Sequence, residues 1–395
     1  MPGFYQVTGN KKVIMRMANK QTWCFSVFLL IVFMASTVYA VEPKAPKLAA
    51  KSYILQDFNS GKVIAELDSN SRIEPASLTK MMSNYVIENE LKMGNIQMTD
   101  MVKISEKAWK MPGSRMFVEV NSKVSVEELL KGIVIQSGND ATVAMAEFVA
   151  GTEDAFVSLM NEYARKLGMT GTHFVNSTGL PHEEHYTTAK DLATLVHALI
   201  RDFPEHYSWY SEKVYTYNGI KQYNRNKLLW QDKFVDGVKT GHTESAGYCL
   251  ASSAVKGDMR LISVVLGTKS ERARATESQK LLTFGFRFYE THRLYEANTS
   301  LSNVKVWKGE EENLSLGLAE DLWITIPRGQ YKSLKASMSL DSKIVAPVNQ
   351  GETYGTVNVN LEGNSLLSRE LVALQSIKEG GMFSGLLDEV KMLFE

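Results

Sequence analysis

Three short runs in this 395-residue chain carry the residue types that acyl transfer needs, in one order: Ser77-Leu78-Thr79-Lys80, Ser137-Gly138-Asn139 and Lys239-Thr240-Gly241. A serine hydroxyl is a weak nucleophile at neutral pH and needs a base beside it. A helix opening at Ser77 puts Lys80 one turn on, on the same face. The positive end of that helix, burial and the nearby Lys239 all favour loss of the Lys80 proton. A neutral Lys80 amine can take the Ser77 proton, and Ser137 can relay a proton to a leaving amine. Asn139 can fix Lys80 and hold a substrate amide. Lys239, Thr240 and Gly241, read at the end of a strand, suit an extended peptide with a carboxylate terminus. The backbone N–H groups of Ser77 and His242 can form an oxyanion hole, a device worth about 3 kcal/mol per donor.

No single run decides the matter. The S-x-x-K spacing occurs at Ser77, Ser253 and Ser302, whereas S-x-N and K-T-G occur once each. Each residue also has a plain structural use: Ser77 and Asn139 as helix caps, Lys80 and Lys239 as solvated lysines. Order and local context select Ser77. His182-Glu183-Glu184-His185 falls one residue short of the helical zinc pattern and reads as a surface loop, so no metal and no other cofactor is expected.

The elements that must position these residues alternate a sheet with helices. Segments 52–55 and 62–65 read as a hairpin around Asn59-Ser60-Gly61. Helical patterns cover 77–91, 126–134, 140–149, 153–167, 188–201 and 274–289, with 171–186 a loop. Segments 248–254 and 260–266 read as two strands around Lys256-Gly257-Asp258. From about residue 296 the character changes to short alternating runs rich in Val, Ile and Thr, which is the pattern of a small all-β domain.

The chain length makes two domains the default, and the balance of 44 basic and 44 acidic residues argues against a nucleic-acid surface. Residues 1–40 hold Lys11, Lys12, Arg16 and Lys20 and no acid, then an apolar run ending at Val38-Tyr39-Ala40. That reads as a secretory signal cleaved after Ala40; an uncleaved membrane helix is the alternative. Cleavage leaves 40 basic and 44 acidic residues and a single cysteine, Cys249, so no intrachain disulfide is possible. At the other end, Met382, Phe383, Leu386, Leu387, Val390, Leu393 and Phe394 fall on one helical face. The run is too short and too charged to span a bilayer; it suits an amphipathic helix in the membrane interface, or one docked on the protein itself.

On these residues the chain resembles the low-molecular-mass penicillin-binding proteins, the D-alanyl-D-alanine carboxypeptidases of peptidase family S11. The resemblance extends to residues 74–82, 136–141, 237–243 and 274–278. It implies an α+β catalytic domain like those of serine β-lactamases and penicillin-binding proteins, over 41–295. A β-rich domain over 296–379 and an amphipathic anchor over 380–395 follow. It implies an acylable Ser77, a lysine base at Lys80, and Arg274 helping Lys239 and Thr240 to orient the substrate carboxylate. The implied partners are a peptidoglycan pentapeptide ending in D-Ala-D-Ala, β-lactams as covalent inhibitors, and lipid at the periplasmic face of the bacterial inner membrane. A class A β-lactamase would need a loop glutamate in a Glu-x-x-x-Asn arrangement, which Glu183 and Glu184 do not supply. An inactive scaffold of the same fold is the remaining class. Turnover of peptide against turnover of penicillin separates the three.

Overall fold

The computed structural model describes residues 44–341, 343–381 and 388–389. β1 (Ser52–Asp57) and β2 (Val63–Leu67) form the expected antiparallel hairpin, its turn held by Asp57 Oδ1 accepting from Ser60 N and Oγ. Two short antiparallel pairs brace loops among the helices: β3 (Met101–Lys103) with β4 (Lys123–Ser125), and β5 (Val214–Tyr217) with β6 (Ile220–Tyr223). β7 (Val235–Thr243), β8 (Gly247–Lys256) and β9 (Met259–Thr268) complete the main sheet, in the order β2-β1-β9-β8-β7, antiparallel throughout.

Successive side chains of a strand face opposite ways, and here both faces are covered. Ile54, Ala251, Ile262 and Val264 join the larger core beneath the helices. Leu55, Leu250, Leu261 and Val265 pack with Leu281, Leu282 and Phe284 on the other side. This two-sided burial is why 248–254 and 260–266 read as almost continuous apolar runs.

The α-helices of six residues or more among the described residues are α1 (Lys80–Lys92), α2 (Val126–Lys131), α3 (Asn139–Ala150), α4 (Glu153–Lys166), α5 (Ala189–Asp202) and α6 (Glu271–Phe288). Four begin where a side-chain oxygen satisfies a free backbone N–H: Ser125 with a reciprocal bond from Glu128 for α2, Thr152 for α4, Thr188 for α5 and Ser270 for α6. Together with β7, the helices around α1 and α3 frame the cleft.

Several local expectations need correction. Ser77 lies in a 3-10 turn, Ala76–Thr79, and α-helical geometry starts only at Lys80. The helix expected over 126–134 is α-helical to Lys131 and then widens to a π-helical stretch, Gly132–Gln136, closed by Ser137 in the left-handed region. The helix expected over 140–149 starts one residue earlier, so that Asn139 is its first residue and Gly138, not Asn139, is its cap. Lys239 and Thr240 lie mid-strand, because β7 runs on through Gly241 to Thr243.

The β-rich part comprises a six-stranded sheet and a two-stranded one. The latter pairs β10 (Tyr289–Tyr295) with β13 (Leu322–Pro327), so a boundary at residue 296 falls between two paired strands. β11 (Ser302–Trp307), β12 (Asn313–Gly317), β14 (Leu334–Leu340), β15 (Ile344–Val345), β16 (Thr353–Leu361) and β17 (Asn364–Ala373) form the larger sheet, ordered β14-β16-β17-β12-β11-β15. Thr291 donates to Asp57 Oδ2 at 2.7 Å and Ser60 Oγ meets Thr325 Oγ1 at 2.6 Å, tying this part to the β1–β2 turn.

Among the described residues no helix is long and apolar enough to cross a membrane. The residues of the expected signal, and Met382, Phe383, Leu386, Leu387, Val390, Leu393 and Phe394 of the expected anchor, lie outside the described residues. Asp388 and Glu389 are helical; Lys308 N donates to Asp388 Oδ2 at 2.9 Å, and Lys308 Nζ pairs with Glu389 at 3.4 Å.

Candidate active site

In a 3-10 turn residues i and i+3 eclipse, and the turn Ala76–Thr79 therefore stacks Lys80 over Ser77. Lys80 Nζ lies 3.3 Å from Ser77 Oγ. The amine is 1% exposed and donates to Thr178 O at 2.6 Å. Burial lowers its pKa to about 7; Arg225 adds to the fall and Asp140 opposes it. The neutral amine that a base in that position requires is thus far more accessible at physiological pH than for an exposed lysine.

The second run supplies the opposite wall. Ser137, at φ 69°, is buried, and its Oγ has no hydrogen-bond partner among the described residues. Asn139 Nδ2 donates to Pro112 O at 2.6 Å. The expected hold of Asn139 on Lys80 is not the one seen: Thr178 O takes that place. Asp140 is the scaffold of this wall. Its carboxylate accepts from Met116 N and Phe117 N, each at 2.8 Å, and from Val118 N, fixing the loop that brings Gly113 and Ser114 to the cleft. Gly138 cannot carry a side chain here, since a Cβ would fall 2.8 Å from Asp140 Oδ1 and 3.0 Å from Met116 N.

The third run lies on β7, at the edge of the main sheet, with Lys239 opposite Ala251 and Thr240 opposite Leu250. Gly241 lets the strand approach the serine turn: a Cβ would meet Pro75 O at 3.0 Å and Ala76 Cβ at 3.2 Å. Lys239 is buried and its Nζ donates to Thr240 O at 3.3 Å. Burial, then Lys80, Arg225 and Arg274, hold its pKa well below the usual lysine value. Arg274, from the first turns of α6, is also buried; its Nη1 donates to Gly241 O at 3.2 Å and its Nη2 lies 3.8 Å from Glu271. His242 is exposed and stacks on Tyr248, with ring centroids 3.9 Å apart.

Ser77, Ser137, Asn139, Thr240, Gly241, His242 and Arg274 line one cleft of about 340 Å³, with Lys80 and Lys239 buried behind it. Sequence reasoning missed Arg225, Glu271 and Tyr248, which line the same cleft, and the Thr178–Leu180 wall. It also misplaced His185, which is 1% exposed and bonded to Thr79, not part of a surface loop. No spacing pattern flags Arg225. It is set between Asn224 and Asn226, both buried, and Asn226 Nδ2 donates to Gly237 O of β7 at 2.9 Å.

A serine with a buried lysine of lowered pKa beside it at a helix start, facing an edge strand that carries a second buried lysine and a buried arginine brought up by α6, is the arrangement of a serine hydrolase that works through an acyl-enzyme. Comparison with known proteins narrows the class. Residues 39–270 match the family model for D-alanyl-D-alanine carboxypeptidase, peptidase S11, and residues 289–379 match that for the C-terminal domain of penicillin-binding protein 5. The D-alanyl-D-alanine carboxypeptidase DacA of Escherichia coli (strain K12) is 47% identical over 360 residues, covering 89% of each chain. DacC of the same organism is 45% identical, covering 93% of this chain and 94% of its own. The crystal structure of penicillin-binding protein 5 from Haemophilus influenzae superposes with a TM-score of 0.82 at 42% identity, covering 85% of this chain and all of the other. Penicillin-binding protein D2 from Listeria monocytogenes, solved in an ampicillin-bound form, covers 62% of this chain at 27% identity, with a TM-score of 0.57. The chain belongs to the S11 family of serine D-alanyl-D-alanine carboxypeptidases.

Proposed function

We propose that the chain removes the terminal D-alanine from peptidoglycan stem pentapeptides through an acyl-enzyme on Ser77, with Lys80 as the base. The observation that carries this is the buried Lys80 amine, 3.3 Å from Ser77 Oγ and with its pKa brought down to about 7. Neutral Lys80 accepts the Ser77 proton as Oγ attacks the carbonyl of the penultimate D-alanine. The developing oxyanion is held by the backbone N–H groups of Ser77 and His242. The C–N bond breaks and the terminal D-alanine leaves as an amine, protonated through Lys80 and Ser137, whose hydroxyl has no other partner among the described residues. Water then attacks the acyl carbon, the same groups accept and return its proton, and the shortened peptide departs. β-Lactams, which present a strained amide and a carboxylate, acylate the same serine.

Recognition of the substrate end follows from charge. Lys239, Arg225 and Arg274 crowd around one cleft; burial first, and then the charge of Arg225, weakens the hold of Lys239 and Arg274 on their protons, with Glu271 the acid on its lining. A carboxylate there relieves the repulsion, while β7 offers its free edge to the extended peptide and Asn139 contacts a substrate amide. A peptide ending in a carboxamide is expected to release its last residue far more slowly than the acid from the wild-type protein. Arg274→Ala should narrow that gap by slowing the acid more than the amide. Equal cleavage of acid and amide by the wild type would contradict the carboxylate reading.

The same proposal covers location. Residues 1–40 direct export and are removed after Ala40, residues 41–295 form the catalytic domain, and 296–379 form the β-rich domain. Residues 380–395 attach the protein to the periplasmic face of the inner membrane. Lys308 grips Asp388 and Glu389 of that segment, and the apolar residues that helical spacing assigns to one face, Leu386 and Val390 among them, are the ones proposed to meet lipid. A chain ended at Glu379, or one carrying Leu386→Asp and Val390→Asp, is expected to leave the membrane fraction and keep its peptidase activity. Membrane retention or loss of activity in the truncated protein would contradict the anchor.

A further inference from the structure

The loop after α4 meets the serine turn twice. On its outward limb Thr178 O accepts from Lys80, and Gly179, at φ +87°, lies so close that a Cβ would fall 1.8 Å from Ala76 O and 2.9 Å from Thr79 Oγ1. The chain then runs out through exposed residues 181–184 and returns to the interior at His185. Val175 N–H donates to His185 Nδ1 at 3.1 Å, which places the ring's lone pair at Nδ1 and its proton at Nε2. Nε2–H then donates to Thr79 Oγ1 at 2.7 Å. Phe174 packs against the ring edge-on, with centroids 5.7 Å apart. Burial lowers the imidazole pKa to about 4, and His173 and His182 of the same loop and Lys80 of α1 push it the same way. The ring is therefore uncharged at neutral pH and keeps the tautomer that Thr79 needs.

We propose that His185 is a positioning residue for acylation: its Nε2–H, oriented by Val175, pins Thr79 and sets the Ser77–Lys80 pair between the two limbs of the loop. His185 is absent from the cleft lining, so it acts through Thr79 and not on substrate. The geometry it guards has little slack. Ser77 Oγ and Lys80 Nζ are 3.3 Å apart, near the far end of hydrogen-bond range, and any outward shift of the turn separates nucleophile from base. Buried Thr79 Oγ1 and Val175 N–H would both lose a partner without the ring.

The inference rests on the assignment of Ser77 and Lys80 given above. Its test is the second-order rate constant for acylation by a fluorescent penicillin. It is measured from pH 5 to 9, beside thermal unfolding, for the wild type, His185→Ala, His185→Gln, Thr79→Val and the His185→Ala/Thr79→Val double variant. His185→Ala should be about 10- to 100-fold slower on the high-pH plateau. The midpoint of its pH rise should stay near the Lys80 value of about 7, because the base itself is untouched. His185→Gln, whose amide offers a donor and an acceptor without titrating, should recover most of the rate. The double variant should be no slower than the slower single one, as for two ends of one interaction. Wild-type acylation by His185→Ala, failure of His185→Gln to restore the rate, or additive losses would each overturn the proposal. If His185→Ala does not fold, Thr79→Val must still slow acylation while His185→Gln does not. Labelling of a Ser77→Ala protein would instead overturn the nucleophile assignment, leaving the two failures distinguishable.

Discussion

Lys80→Arg is expected to fold, to bind penicillin weakly and reversibly, and to acylate about 10²- to 10⁴-fold more slowly than the wild type. Arginine keeps the positive charge but cannot deprotonate at accessible pH. The wild-type rate should rise with pH through about 7 and level off above it, because only the neutral amine accepts the Ser77 proton and Lys80 has that pKa in the folded protein. The direction follows from the cause: burial disfavours the ammonium, so the neutral form is populated more than three pH units below where an exposed lysine would lose its proton. Stopped-flow acylation across pH 5 to 9 measures both effects. A folded Lys80→Arg protein with near-normal acylation would remove the lysine from that role, and a wild-type rate that falls between pH 6 and 8 would reverse the sign.

Gly179→Ala should have the next largest effect, and it should register in stability and activity together. An alanine at φ +87° costs about 1–3 kcal/mol for its backbone alone. Its Cβ would also overlap Ala76, 1.8 Å from the carbonyl oxygen, so loop and serine turn must separate. The Asn176 side chain resists that movement, since its Oδ1 accepts from Thr178 N, Gly179 N and Leu180 N. The displaced parts carry both Ser77 and the carbonyl that holds Lys80. A fall of several degrees in Tm with a loss of acylation on the order of 100-fold is expected. Unchanged Tm and acylation would show that the loop does not clamp the turn.

The three motif runs were readable because most of what they need is local. Lys80 stands over Ser77 through three residues of spacing, and Ser137 and Asn139 flank one glycine. What brings the runs together is not local, and the signals for it were weaker. The strand nature of 248–254 and 260–266 was plain, because both faces of β8 and β9 are buried. β7 was legible only in part: Lys239, Thr240 and Gly241 read as the end of a strand that in fact runs on to Thr243. In the fold Gly241 is the place where a strand must pass the serine turn without a side chain. β10 was hidden for the opposite reason. It follows α6 without a break, and its burial rests on β13, which lies 33 residues on from its start.

Residues that depend on tertiary packing left no trace in spacing. Arg225 reaches the cleft from a segment without a motif. His185 was read as exposed because His182-Glu183-Glu184-His185 is polar throughout, yet only 181–184 stay in solvent and the imidazole turns inward to Thr79. Asn139 was expected to hold Lys80, but the carbonyl of Thr178 performs that task, and a backbone acceptor carries no sequence signature.

Mapping the covalent adduct tests the central claim most directly. Protein incubated with penicillin, denatured, digested and analysed by mass spectrometry is predicted to carry the penicilloyl group on the peptide containing Ser77. Fragmentation should place the added mass on that serine, and Ser77→Ala should show no adduct. The other two S-x-x-K serines, Ser253 and Ser302, should be unmodified. An adduct on either of them, or none on a folded wild-type protein, would contradict the assignment of Ser77 as the nucleophile.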